Sequence, residues 1–186
     1  MIALSPSIRY PRNRRSLRSG GFTLIELVVV MTILGIVSTV SVVSLASLGD
    51  TRDAAAARRM LHDLSYAREL ALSLGLRTWV KFNVPDQKYS LLVESAASPG
   101  MGSVRELVDP ATGFAYVQLL DKDDFRGVRI TDASIDGGAY LGFDWMGAPL
   151  NSAEQPIASK GVISLSGGHI VVIEPQSGTI TLGRSP

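Results

Sequence analysis

At 186 residues the chain has room for one modest domain beside a short extension, and it has no cysteine, so no disulfide framework supports it. The formal net charge of +1 is unevenly spread. Residues 1–21 hold Arg9, Arg12, Arg14, Arg15 and Arg18 and no acid, which leaves 13 basic against 17 acidic residues beyond them, a body of −4. A mildly acidic body argues against general nucleic-acid binding, which uses clustered Lys and Arg.

The first predicted element follows that basic stretch. Residues 22–48 form a run of 27 residues whose only charge is Glu26. As a helix the run is about 40 Å long, enough for the ~30 Å hydrocarbon core of a bilayer. Flanking arginines hold their end on the cytoplasmic side, so residues from about 50 onward face the extracytoplasmic side. An acidic side chain in mid-membrane costs roughly 2.5–3.5 kcal/mol, so Glu26 calls for a partner. A cut between Gly21 and Phe22 supplies one, the new α-amine of Phe22. Two plainer readings stand beside this one. A secretory signal has an apolar region of 7–15 residues, about half this length. An ordinary single-pass anchor explains the length and leaves Glu26 unexplained.

Gly49-Asp50-Thr51 reads as a kink or cap. Residues 52–74 then read as an amphipathic helix, with Ala57, Met60, Leu61, Leu64, Ala67, Ala71 and Leu74 on one stripe. Arg58, Arg59, Asp63, Arg68 and Glu69 are expected largely on a solvated face. Gly75 is a natural stop. From Thr78 the period changes to two, with Val80, Phe82 and Val84 on one face. Pro85-Asp86-Gln87 turns the chain into a second strand over 88–93. Residues 95–103 read as a loop. Further strands are expected at 115–120, 128–131, 140–143, 161–165, 170–173 and 179–182. Polar or glycine turns at 121–124, 136–138, 146–149, 166–169 and 175–178 separate them. A helix followed by short strands predicts an α+β layering, helix on antiparallel sheet.

Gly21-Phe22-Thr23-Leu24-Ile25-Glu26-Leu27 ahead of an apolar helix resembles the N-terminal signature of type IV prepilins and type II secretion pseudopilins. The resemblance implies a leader at 1–21 cut by a membrane-embedded prepilin peptidase and a methylated N-terminus at Phe22. It implies that Glu26 pairs with that amine during assembly. It further implies a membrane-spanning helix at 22–48, an amphipathic stalk at 49–75 and a periplasmic β-rich head at 76–186. Three head segments are similar to the H-type minor pseudopilin and FimT-type minor pilin group: Ala67-Arg68-Glu69-Leu70-Ala71, Phe143-Asp144-Trp145-Met146-Gly147-Ala148-Pro149, and residues 173–180. That group's fold is a long N-terminal helix under a β-sandwich, the type IV pilin fold.

The residues offer no constellation for catalysis, so no enzyme activity and no cofactor are expected. His62 and His169 are the only histidines, and two histidines without cysteine make a poor zinc site. Asp121, Asp123 and Asp124 lack the spacing of a calcium loop and read as a solvated turn. Ser166-Gly167-Gly168 has no following Lys and opens no helix, so it is not a phosphate loop. Function is expected to lie in assembly. The expected role is that of a minor pseudopilin of a type II secretion system, a single-pass inner-membrane protein. Its expected partners are other pseudopilins, the prepilin peptidase, an inner-membrane assembly platform and lipid. The alternative is a minor pilin of a type IV pilus acting in priming, adhesion or DNA uptake. The tail from Thr181 holds only Arg184, too little for multi-phosphate contact, which favours secretion.

Overall fold

The computed structural model describes residues 23–185, apart from the side chains of 39–48. The chain divides into two compact units, Met1–Val42 and Val43–Pro186. Helix α1 (Leu24–Leu74) begins in the first unit and ends in the second. It continues through Gly49, Asp50 and Thr51, where the sequence suggested a kink or cap. No side-chain cap is needed there, because the helix ladder passes without interruption. The helix stops where expected: Gly75 takes φ +64° and its N–H donates to Ala71 O at 3.0 Å.

Ten strands follow in the second unit: β1 (Thr78–Asn83), β2 (Lys88–Val93), β3 (Arg105–Glu106), β4 (Val117–Leu119), β5 (Ile130–Ser134), β6 (Tyr140–Phe143), β7 (Pro149–Leu150), β8 (Gly161–Leu165), β9 (His169–Ile173) and β10 (Ile180–Arg184). They form two antiparallel sheets. One has the order β3-β2-β1-β6-β7 with β4 also on β2, and the other has the order β10-β9-β8-β5. The architecture is α+β, a helix packed on antiparallel sheets. Two of the strands, β3 and β7, span two residues each, too short for alternation to reveal. The strand expected at 128–131 is shifted to Ile130–Ser134, with a register irregularity between Ile130 and Asp132.

The helical stripe does what its period implies. Ala56, Ala57, Met60, Leu64, Ala67 and Ala71 are all buried. They pack in one cluster with Val80, Phe82, Tyr89 and Leu91 of β1 and β2, Leu141 and Phe143 of β6, and Ile163, Leu165, Val171 and Ile173 of β8 and β9. Two residues expected on the stripe depart from it: Leu61 is only partly buried, and Leu74 in the last turn is half-exposed. On the far face of β1 Trp79 is buried as well, while Lys81 is exposed, which alternation did not signal. The Trp79 indole lies over Gly142 and joins Leu92 and Leu150 in a second cluster, with Met101 and Val104 against it. A Cβ at position 142 would meet the indole ring, so the glycine makes room for the tryptophan.

Candidate functional site

At the start of the described chain, Thr23 caps α1. Its Oγ1 accepts the Glu26 N–H at 3.3 Å and its carbonyl accepts the Leu27 N–H at 3.2 Å. Thr-x-x-Glu is the spacing of a capping box. Glu26 also sits in the first turn, where its charge favours the helix dipole. Glu26 is exposed, as are the large apolar residues Leu24, Ile25, Leu27, Val28, Val29, Val30, Met31, Ile33, Leu34, Ile36 and Val37. A helix apolar on every side is suited to burial in lipid or among other helices. No helix among the described residues is long and apolar enough to cross a membrane. The last ten residues of the expected span, 39–48, have side chains outside the described residues, and Phe22 and the expected leader 1–21, with Gly21, lie outside them altogether.

In the second unit the three segments singled out in the sequence, one on α1 and two in the head, come together at one side chain. Arg68 of α1 donates from Nε to Gly147 O at 3.0 Å and from Nη2 to Ser177 O at 2.9 Å. It therefore ties the helix to the β6–β7 turn of one sheet and the β9–β10 turn of the other. Both turns are tight. Asp144 Oδ1 accepts the N–H groups of Met146 and Ala148 at 2.9 and 2.8 Å. Gly147 has φ +78° and Gly178 φ +63°. A Cβ at Gly178 would stand 2.5 Å from Gly147 O and 3.1 Å from Arg68 Nε. The glycines are required by a close approach of two backbones around a guanidinium. Arg68 is thus an internal tie, where the sequence placed it among the solvated charges.

Asp63, expected on the solvated face, lies inside instead. Its side chain is fully buried. Oδ2 accepts the Tyr89 hydroxyl at 2.7 Å and Arg59 Nε at 3.1 Å, and Oδ1 accepts the Tyr116 hydroxyl at 2.9 Å. Arg59 Nη2 also donates to the Tyr116 hydroxyl oxygen at 3.2 Å, and His62 Nδ1 lies 3.4 Å from Asp63 Oδ1. A carboxylate at the helix–sheet seam is tolerated because three donors replace its water. Burial and the Asp63 charge raise the Tyr89 phenol well above its ordinary range. The same causes push Tyr116 up to about 12. Periodicity alone would have flagged position 63, which falls on the stripe between Met60 and Ala67. Its charge hid it.

The other singled-out residues serve local structure. Asp121 takes φ +58°, accepts the Gly127 N–H at 2.8 Å and pairs with Arg129 at 3.2 Å. His62 is exposed, and His169 begins β9 opposite Arg184. Ser166 donates to Asp53 Oδ1 at 2.6 Å and ties the β8–β9 turn to the helix. Among the described residues no three His, Cys, Asp or Glu side chains are grouped as metal ligands would be.

The profile of the prokaryotic N-terminal methylation motif matches residues 16–42. Two solved structures of the minor pseudopilin EpsH from the type 2 secretion system of Vibrio cholerae share the fold. One has a TM-score of 0.53 at 16% identity, covering 74% of this chain and 99% of that one. The other has a TM-score of 0.50 at 14% identity, covering 72% and 97%. The type IV minor pilin FimU of Pseudomonas aeruginosa aligns with a TM-score of 0.47 at 17% identity, covering 72% and 89%. No curated protein sequence matches the chain. The fold is type IV pilin-like. The chain joins a match to the N-terminal methylation motif to a head that shares the fold of the EpsH structures.

Proposed function

We propose that the chain is a minor pseudopilin of a type II secretion system, a structural subunit of a periplasmic pseudopilus that drives export of folded proteins. The observation that carries this is a methylation motif leading into an exposed, all-round apolar helix start, on a chain whose head has the EpsH fold. In this reading residues 1–21 are a leader removed by a prepilin peptidase, Gly21 is its last residue and Phe22 becomes the methylated N-terminus. Residues 22–48 hold the subunit in the inner membrane before assembly, with the head in the periplasm. Glu26 then neutralises the Phe22 amine of its own or a neighbouring subunit. A carboxylate and an ammonium side by side cost far less in an apolar bundle than either alone. The partners are other pseudopilins, the peptidase, the assembly platform and lipid.

A DNA-uptake pilin would present a basic surface for several phosphates. Here the tail's Arg184 leans toward Asp50, 3.8 Å away, which favours the secretion reading over a pilus. The test has two parts. Intact mass and N-terminal sequencing, with and without co-expressed peptidase, should give a peptidase-dependent product beginning at methylated Phe22. Gly21→Ala should leave the arginine-tailed precursor as a control. A deletion strain should then lose secretion of folded exoproteins and keep any pili. Loss of pili with secretion intact would give the protein to a type IV pilus instead.

A further inference from the structure

The hairpin from Leu107 to Tyr116, between β3 and β4, has almost no core of its own. None of residues 108–115 is buried, and Val108 and Phe114 stand largely in solvent. Its base is held to β2: Leu107 N–H donates to Leu91 O at 2.9 Å, and Leu91 N–H to Tyr116 O at 3.0 Å. Its tip is closed by Asp109 N–H to Phe114 O and Gly113 N–H to Asp109 O, both 2.8 Å. Beyond the base, Asp109, Pro110 and Ala111 share one surface depression with Arg59, His62 and Tyr66 of α1. The side chain that fixes the hairpin there is Tyr116, through its hydroxyl on Asp63 and its ring stacked on Tyr66 at 5.9 Å.

We propose that this hairpin is a strap held closed across α1 by the buried Asp63 carboxylate, and that weakening the Asp63–Tyr116 contact opens the strap while the two sheets stay folded. Segments with few buried apolar contacts open locally at a fraction of the global free energy. A buried ion contributes little net stability and is better suited to fixing one arrangement. Asp63 is placed to fix this one, because each donor comes from a different source: Arg59 along the helix, Tyr89 from β2 and Tyr116 from the hairpin. The charged and titratable groups around it are Arg59 and His62 on α1, Tyr89 on β2, and Tyr116 and Asp109 on the hairpin. Tyr89 keeps the helix on the sheet when Tyr116 is released, so the two movements separate.

The test is site-resolved amide exchange on the full chain in detergent, comparing Tyr116→Phe, Tyr89→Phe and Asp63→Asn with the parent. Tyr116→Phe keeps the ring stack and deletes only the hydroxyl. It should speed exchange at Leu107, whose N–H is bonded across to Leu91 O, and at the hairpin amides beyond it at least tenfold, and leave the β8 and β9 amides unchanged. Tyr89→Phe should leave the hairpin amides within about threefold of the parent. Asp63→Asn should reproduce the Tyr116→Phe pattern or exceed it. Hairpin exchange unchanged in Tyr116→Phe would overturn the proposal. So would a rise shared equally by the hairpin and both sheets, which would make Asp63 a plain stability contact. The readout does not depend on secretion or pilus assembly, so it stands or falls apart from the proposed function.

Discussion

Arg68 Nε donates to the carbonyl of Gly147, 79 positions along the chain, at 3.0 Å. With the second bond to Ser177, one guanidinium closes the helix onto both sheets. Charged donors contribute more per bond than neutral ones, and Lys cannot reproduce the planar fork. Arg68→Ala should lower stability by about 2 kcal/mol, a fall in Tm of roughly 4–8 °C. Arg68→Lys should recover less than half of it. Thermal unfolding of the three proteins followed by circular dichroism checks this.

Gly178 and Gly113 both take positive φ, at +63° and +74°. They differ in what a side chain would meet. Nothing lies within 4 Å of a Cβ at Gly113, whereas at Gly178 it would strike Gly147 O. Gly113→Ala should cost about 1 kcal/mol, from backbone conformation alone. Gly178→Ala should cost about 3 kcal/mol or more, because two backbones must part. Urea titrations of the pair measure the difference, and equal losses would contradict the close approach.

The phenols on Asp63 set an alkaline limit. Tyr89 and Tyr116 hold their protons to higher pH folded than unfolded. Between about pH 10, where a free phenol titrates, and the folded value of Tyr116 near 12, the unfolded chain loses protons that the folded chain keeps. Stability from these groups is therefore complete below pH 10 and is lost as pH climbs towards 12. Tyr116→Phe should fall less steeply than the parent between pH 10 and 12. Denaturant midpoints across that range provide the comparison.

Glu26 sits in the first turn of α1, so its loss has two components. Its charge beside the helix N-terminus contributes about 0.3–1 kcal/mol to helix stability. Under the proposed function it also matches the Phe22 amine. Glu26→Ala should still insert in the membrane and be cut by the peptidase, yet enter the filament poorly. Glu26→Gln, which keeps the length of the side chain and drops the charge, should assemble no better. Full incorporation of the Gln variant would show that the charge is not needed.

Local order was open to inspection in the sequence because it depends on near neighbours. The apolar run from Phe22, the helical stripe from Ala57 to Ala71, the stop at Gly75 and the hairpin of β1 with β2 each follow from residues a few positions apart. So do the glycine turns at Asp136-Gly137 and Pro175–Gly178. The α+β layering followed from their order. Strands of two residues such as β3 and β7 carry no period and went unseen.

The tertiary structure alone decided what the charges do. Asp63 and Arg68 lie on a helix whose charged residues are ordinarily solvated, and although position 63 falls on the apolar stripe, nothing near either residue in the chain names its partners. Asp63 finds Tyr89 and Tyr116 at separations of 26 and 53 residues, and Arg68 finds Gly147 and Ser177 at 79 and 109. A charge is stable inside only where donors or acceptors from several elements meet it at once. That convergence is a property of the packed sheets, and it turns two apparently solvated residues into the points where helix, sheets and turns are joined.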